Sequence, residues 1–120
     1  MSLDLYQRVQ VLYSQRVTSS QEEKRNRSRG VFAISVAAEM VSMEIQNLRV
    51  YERRGLVAPA RTPGGSRLYS LDDINRLNRV RELLADGLNL AGIAQVVVLE
   101  DRVRALEERL RARPGPPAAT

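Results

Sequence analysis

The sequence predicts a mainly α-helical fold of the winged helix-turn-helix class, with a small β-hairpin wing and a C-terminal dimerisation helix of coiled-coil type. Three observations predict it. Ile34, Ala38, Val41, Met43, Leu48, Tyr51 and Leu56 are spaced so that two short helices can share one small core. Thr62-Pro63-Gly64-Gly65 supplies turn residues between two short flanks. Val96, Leu99, Val103, Leu106 and Leu110 recur at alternating steps of three and four, which is a heptad seam.

Residues 1–30 read as an N-terminal extension in two parts. Leu5, Val9 and Leu12 fall at helical spacing, with Tyr6 and Tyr13 nearby, so a weak amphipathic helix is expected. Val9, Val11 and Tyr13 also alternate as a strand would. Ser19 to Gly30 is polar throughout and basic in its second half; with no apolar face to bury, it is expected to be a disordered linker. A sharper reading makes Lys24, Arg25, Arg27 and Arg29 a basic arm lying on DNA.

Residues 31–88 form the predicted winged helix-turn-helix domain. Ala38 lets its two helices approach closely. The second helix is expected to stop at Gly55, a residue tolerant of positive φ, with Arg53 and Arg54 suiting the negative end of the helix dipole. Its non-packing face carries Gln46, Asn47, Arg49 and Arg53, side chains able to make bidentate contacts to base edges or phosphates. Taken alone, those four polar residues fit a merely solvated face about as well.

The next segment tips the balance towards nucleic acid. Ala60 to Thr62 and Arg67 to Tyr69 would pair as a hairpin, and Pro63 and Gly64 at the second and third turn positions predict a type II turn. Arg61 and Arg67 would then flank the wing's tip, ready for a sugar-phosphate backbone. Ser70 and the acidic pair Asp72 and Asp73 predict a capped helix start. Ile74, Leu77, Val80, Leu83 and Leu84 should face the core, with Arg76, Arg79 and Arg81 mostly solvated and Gly87 ending the helix.

Residues 89–113 are the predicted coiled-coil helix, capped by Asn89 and stopped by Pro114, with a disordered tail over 114–120. Its seam runs further than so small a core could cover, and each exposed Leu or Val forgoes roughly 1.5 to 3 kcal/mol of burial. A second copy is the economical partner. With Val96, Val103 and Leu110 at a and Leu99 and Leu106 at d, Arg102 and Glu107 would pair across a parallel dimer. The same charges are also explained within one helix, by Glu100 with Arg104 and Glu107 with Arg111.

Several of these stretches together resemble the MerR family of transcription regulators. They are Leu48-Arg49-Val50-Tyr51-Glu52-Arg53-Arg54-Gly55-Leu56, Pro59-Ala60-Arg61, Gly64-Gly65-Ser66-Arg67-Leu68-Tyr69-Ser70, and Gly87-Leu88-Asn89-Leu90-Ala91-Gly92-Ile93. The wording is closest to the family's heat-shock repressors, the HspR type. The resemblance covers about Val31 to Leu110, and it implies an antiparallel homodimer that reads an inverted repeat in double-stranded DNA. It also implies a DnaK-type chaperone as co-repressor. Ser42 departs from the family's usual turn glycine, Glu44 from its serine or histidine, and Val50 from its tyrosine. Glu44 suits the helix dipole but repels phosphate unless it accepts from a cytosine amino group.

The site so predicted assigns base contacts to Gln46, Asn47 and Arg49, and phosphate contacts to Tyr51, Arg53, Arg61, Gly65, Arg67 and Tyr69. Amides pair naturally with adenine, whereas arginine forks suit guanine and phosphate.

Composition bounds the alternatives. A length of 120 residues allows one small domain plus a helix, and the net charge of +5 points to an anionic partner. The chain has no Cys and no His, which removes thiolate metal sensing, an imidazole base and disulfides. No metal, cofactor or enzymatic activity is expected, and no effector domain or membrane partner. The apolar runs are too short to span a bilayer and the N-terminus lacks a signal core, so a cytoplasmic, nucleoid-associated protein is expected. Rival readings are an effector-less activator, an excisionase-like DNA bender, and a coiled-coil interaction module whose basic surface is incidental.

Overall fold

A computed structural model describes residues 4, 5, 7–9 and 20–115. In chain order the elements are α1 (Ser20–Ser28), α2 (Ile34–Val41), α3 (Ile45–Arg53), β1 (Ala60–Arg61), β2 (Arg67–Leu68), α4 (Leu71–Ala85) and α5 (Leu90–Ala112). The mainly helical fold with a two-stranded antiparallel hairpin matches the expectation.

Apolar spacing explains how the helices meet. α2 buries Ala37, Ala38, Met40 and Val41, and α3 buries Leu48 and Tyr51. α4 lays Leu71, Ile74, Leu77, Val80 and Leu83 across both. Each large side chain so removed from water contributes about 1.5 to 3 kcal/mol before entropy is charged against it. α5 fully buries Ile93 and Val97 in this core and packs Leu90, Ala94 and Val96 partly against it, all near its start.

The turn between α2 and α3 is closed by backbone bonds that sequence alone could only suggest. Ser42 adopts φ 54°, with its N–H donating to Glu39 O at 3.2 Å and Met43 N–H donating to Ala38 O at 3.1 Å. This is a Schellman closure with a serine in the left-handed position that glycine prefers. Arg81 reaches over from α4 and donates to Val41 O at 2.7 Å, tying down the same helix end. α3 closes in the same way, with Gly55 at φ 75° and Leu56 N–H donating to Tyr51 O at 2.9 Å, as the glycine predicted.

The hairpin pairs Ala60 with Leu68 and Arg61 with Arg67. Its tip is not the expected type II turn, which would need positive φ at Gly64. Gly65 N–H donates to Thr62 O at 2.9 Å and positive φ falls on Gly65 itself, at 88°. A three-residue loop with its last residue left-handed follows the twist of the strands better. Phe32 bridges antiparallel to Tyr69, so the segment before α2 lies along the wing.

The polar stretch expected to be a linker is helical instead. In α1, Glu22 and Glu23 sit in the first turn and Arg25 and Arg27 in the last, so both ends of the dipole are complemented. Glu23, Asn26 and Arg27 are half-buried, and α1 packs against α4. The absence of an apolar stripe hid a helix held by charge and docking. Further upstream, Gln7 N–H donates to Asp4 Oδ1 at 2.8 Å, and Leu5 and Val9 pack on the core in helical conformation. The other residues of the 1–18 expectation, and 116–120 of the expected tail, lie outside the described residues.

α4 starts with the predicted cap: Asp73 N–H donates to Ser70 Oγ at 3.0 Å, and Ser70 N–H donates to Asp73 Oδ2 at 2.9 Å. Burial raises the Asp73 carboxyl above its ordinary pKa, even though the Ser70 hydrogen bonds pull the other way. α5 starts at Asn89, whose Oδ1 accepts from Gly92 N–H at 2.8 Å. At 23 residues, α5 is about 34 Å long and runs well past the core. The arginines expected to be solvated on α4 are engaged. Arg76 pairs with Asp101 and Arg79 with Glu82 and Glu100, so charge fastens α5 to α4.

Candidate nucleic-acid interface

α3 presents its polar residues as a single exposed face. Leu48 and Tyr51 turn into the core, and Gln46, Asn47, Arg49, Arg53 and Arg54 are exposed. Among the described residues none of these five side chains has an intramolecular hydrogen bond or ion pair, so their donors are unspent. Arg54, the C-cap residue, was not among the predicted contacts, although its place one residue before Gly55 signalled it. Glu44 is the N-cap residue of α3, extended and exposed, and its side chain makes no cap bond.

The wing arginines are placed differently from what was expected. Both point back to α3, where the Glu52 carboxylate accepts from Arg67 Nε at 2.7 Å and from Arg61 Nη2 at 3.0 Å. Arg61 Nη1 also donates to Gly65 O at 2.9 Å, bracing the loop. One acidic side chain therefore spans both wing strands and fixes the hairpin against α3. Glu52 went unremarked in the sequence because a contact across nine or fifteen residues leaves no periodic trace. Gly65 is exposed at the tip.

Tyr51 and Tyr69 need correction as phosphate contacts. They are only 6% and 0% exposed and belong to the core, where ring burial outweighs the use of a hydroxyl. Burial raises the pKa of both, with the Glu52 charge adding to the effect at Tyr69. The Tyr69 hydroxyl is buried without a hydrogen-bond partner.

The expected dimer seam divides in two. Val96 is half-buried against the domain, whereas Leu99, Val103, Leu106 and Leu110 are 57%, 53%, 55% and 68% exposed along one side of α5. Among the described residues no cluster of His, Cys, Asp or Glu could hold a metal ion, and no helix is long and apolar enough to cross a membrane.

Comparison with known proteins decides the family. Residues 32–98 match the model described as MerR HTH family regulatory protein. The chain belongs to the MerR family. It is 48% identical over 80 residues to a Streptomyces coelicolor protein described as a heat shock protein, HspR, covering 66% of this chain and 53% of that one. It is 37% identical over 75 residues to the HTH-type transcriptional regulator GlnR of Bacillus anthracis, covering 62% of this chain and 58% of that one. Among solved structures, the Ralstonia metallidurans transcription regulator PbrR691, in complex with lead(II), superposes with a TM-score of 0.57. It shares 29% identity and covers 68% of this chain and 79% of that one. The chain thus spans little more than half the length of the curated relatives it matches.

Proposed function

We propose that this MerR-family chain is a sequence-specific, DNA-binding transcriptional repressor of HspR type, acting in the cytoplasm as a homodimer on an inverted repeat. The observation that carries the reading is the α3 face, where two amides and three guanidinium groups stand exposed and unpaired beside a wing. Such groups read base edges in a major groove and phosphates on its rim. Gln46, Asn47 and Arg49 take the base edges. Arg53 and Arg54 take phosphates, with the Gly65 backbone at the wing tip approaching the strand beyond and Arg61 and Arg67 holding the wing to Glu52. The exposed seam of α5 supports the homodimer, and likeness to MerR regulators favours an antiparallel pair that spaces the two α3 helices along one face of the duplex. A DnaK-type chaperone as co-repressor rests on the likeness to HspR alone.

Selection from a random duplex library, followed by titration of variants, tests this function. Asn47→Ala should cost about 1 to 3 kcal/mol on the selected sequence and little on scrambled DNA. Arg53→Ala should weaken both and lower the salt slope by about one. Equal losses on every sequence, or failure to select any sequence, would refute the reading.

A further inference from the structure

Resting on the DNA-binding reading, we infer that α1 is a second phosphate-contacting element, which extends the DNA interface past the wing onto flanking duplex. The family match begins at residue 32, so α1 and the Gly30 junction lie outside the shared domain.

The junction sets where α1 ends. A Cβ at Gly30 would stand 2.8 Å from Leu68 O and 3.1 Å from the Cβ atoms of Leu68 and Ala60, so the backbone is pressed onto the wing. Val31 and Phe32 N–H both donate to Tyr69 O, at 3.0 and 2.9 Å, and hold it there. Ala60 and Leu68 pair with each other, and the neighbouring pair, Arg61 and Arg67, turns to Glu52 on α3. Successive strand residues alternate faces, so Gly30 seals the hairpin face away from the recognition helix. Arg29 is one Cα step, about 3.8 Å, from that contact.

Charge decides what the element is for. The wing's own guanidinium groups are turned inward and partly neutralised by Glu52, leaving Ala60 and Leu68 on its outer face. Lys24, Arg25, Arg27 and Arg29 have no carboxylate within ion-pair distance among the described residues, whereas Arg76 and Arg79 of α4 are paired. Arg25 and Arg29, four residues apart, are both exposed. Lys24 and Arg27 line a groove that also holds Asp72, Glu100 and Glu108, and a helix C-terminus carries only about half a negative charge, so the surplus is the exposed pair Arg25 and Arg29. A duplex seated on α3 and the wing meets this surplus next, and contacts to its phosphates are independent of sequence.

Salt-dependent titration of the full chain tests the inference. Two probes are used: the selected duplex extended by about ten base pairs, one helical turn, on each side, and a scrambled duplex of equal length. R25Q/R29Q should keep the thermal unfolding of the parent. On both duplexes it should lower the salt slope by up to about two per protomer and weaken binding about five- to thirtyfold for each protomer bound at 0.15 M salt, as a slope near 0.9 per phosphate implies. R25K/R29K retains the charge and should restore the slope. A wild-type slope near zero would sink the DNA-binding reading itself. A steep wild-type slope that R25Q/R29Q leaves unchanged would overturn this inference alone, as would a variant that only melts earlier.

Discussion

Arg67 Nε donates to Glu52 Oε1 at 2.7 Å, joining the wing's second strand to the recognition helix, and Arg61 closes on the same carboxylate. The Glu52 side chain is 17% exposed and that of Arg67 23%, so solvent screens the pair only in part. Glu52→Gln should therefore loosen the wing at a cost of about 1 kcal/mol. The two released guanidinium groups should strengthen binding to scrambled DNA and steepen its salt dependence. Discrimination between selected and scrambled duplexes should fall, and competition binding with both measures it. A variant with unchanged discrimination would show that the clamp has no part in recognition.

Tyr69 offers a test of the corrected site. Its hydroxyl is buried with no partner, and leaving such a group unsatisfied costs about 1 to 3 kcal/mol. Tyr69→Phe should accordingly raise stability by about 1 kcal/mol in chemical denaturation and leave DNA affinity unchanged. Loss of affinity on Tyr69→Phe would restore the hydroxyl to the interface.

Ser42 pays for the turn between α2 and α3. A left-handed conformation costs an L-residue roughly 1 to 2 kcal/mol, and glycine's extra unfolded-state freedom gives back about 0.5 to 1. Because Ser42 is exposed and holds φ 54°, Ser42→Gly should gain about 0.5 to 1 kcal/mol with no change in the DNA selected. Denaturant midpoints at constant slope measure it, and a lower midpoint would contradict the strain argument.

What could be read from the chain in advance follows the range of the forces involved. Ser70, Asn89 and Gly55 act within one turn of a helix, so their caps were legible, as were the exposed polar face of α3 and the apolar steps of α4. Contacts of Glu52 with Arg61 and Arg67, or of Arg81 with Val41, span nine to forty residues and had no local signature. α1 was missed because its stability comes from end charges and docking rather than an apolar stripe. Tyr51 and Tyr69 fit the core and the interface equally well by type, and only burial distinguished them. Pro63-Gly64 pointed to positive φ at Gly64, but the three-residue loop places it on Gly65, a choice set by strand twist rather than by the turn residues.

Acid should loosen α5 from α4. The hydrogen bond from Arg79 holds the Glu100 carboxyl below its ordinary value, against a smaller contribution from desolvation. A depressed folded-state pKa contributes stability above the unfolded value of 4.5, and that contribution is lost as pH falls through the folded one. Thermal stability should therefore fall as pH drops below about 4.5, and Glu100→Gln should flatten that part of the dependence. An identical acid profile in the variant would assign the effect elsewhere.

Leu106 provides the sharpest test of the dimer, since it is 55% exposed in the single chain and its loss costs the fold almost nothing there. In a paired seam it would regain about 1 to 1.5 kcal/mol of burial per protomer, in proportion to the surface it now exposes. Leu106→Glu removes that gain from both protomers and sets a carboxylate in an apolar contact, so the dimer dissociation constant should rise by about two orders of magnitude. Sedimentation equilibrium should then show a monomer with the melting behaviour of the folded domain. Binding to a full inverted repeat should fall to the level of a half-site, whereas half-site affinity should stay put because α3 is untouched. A wild-type chain that sediments as a monomer, or a Leu106→Glu chain that still bridges both half-sites, would remove α5 as the dimer seam.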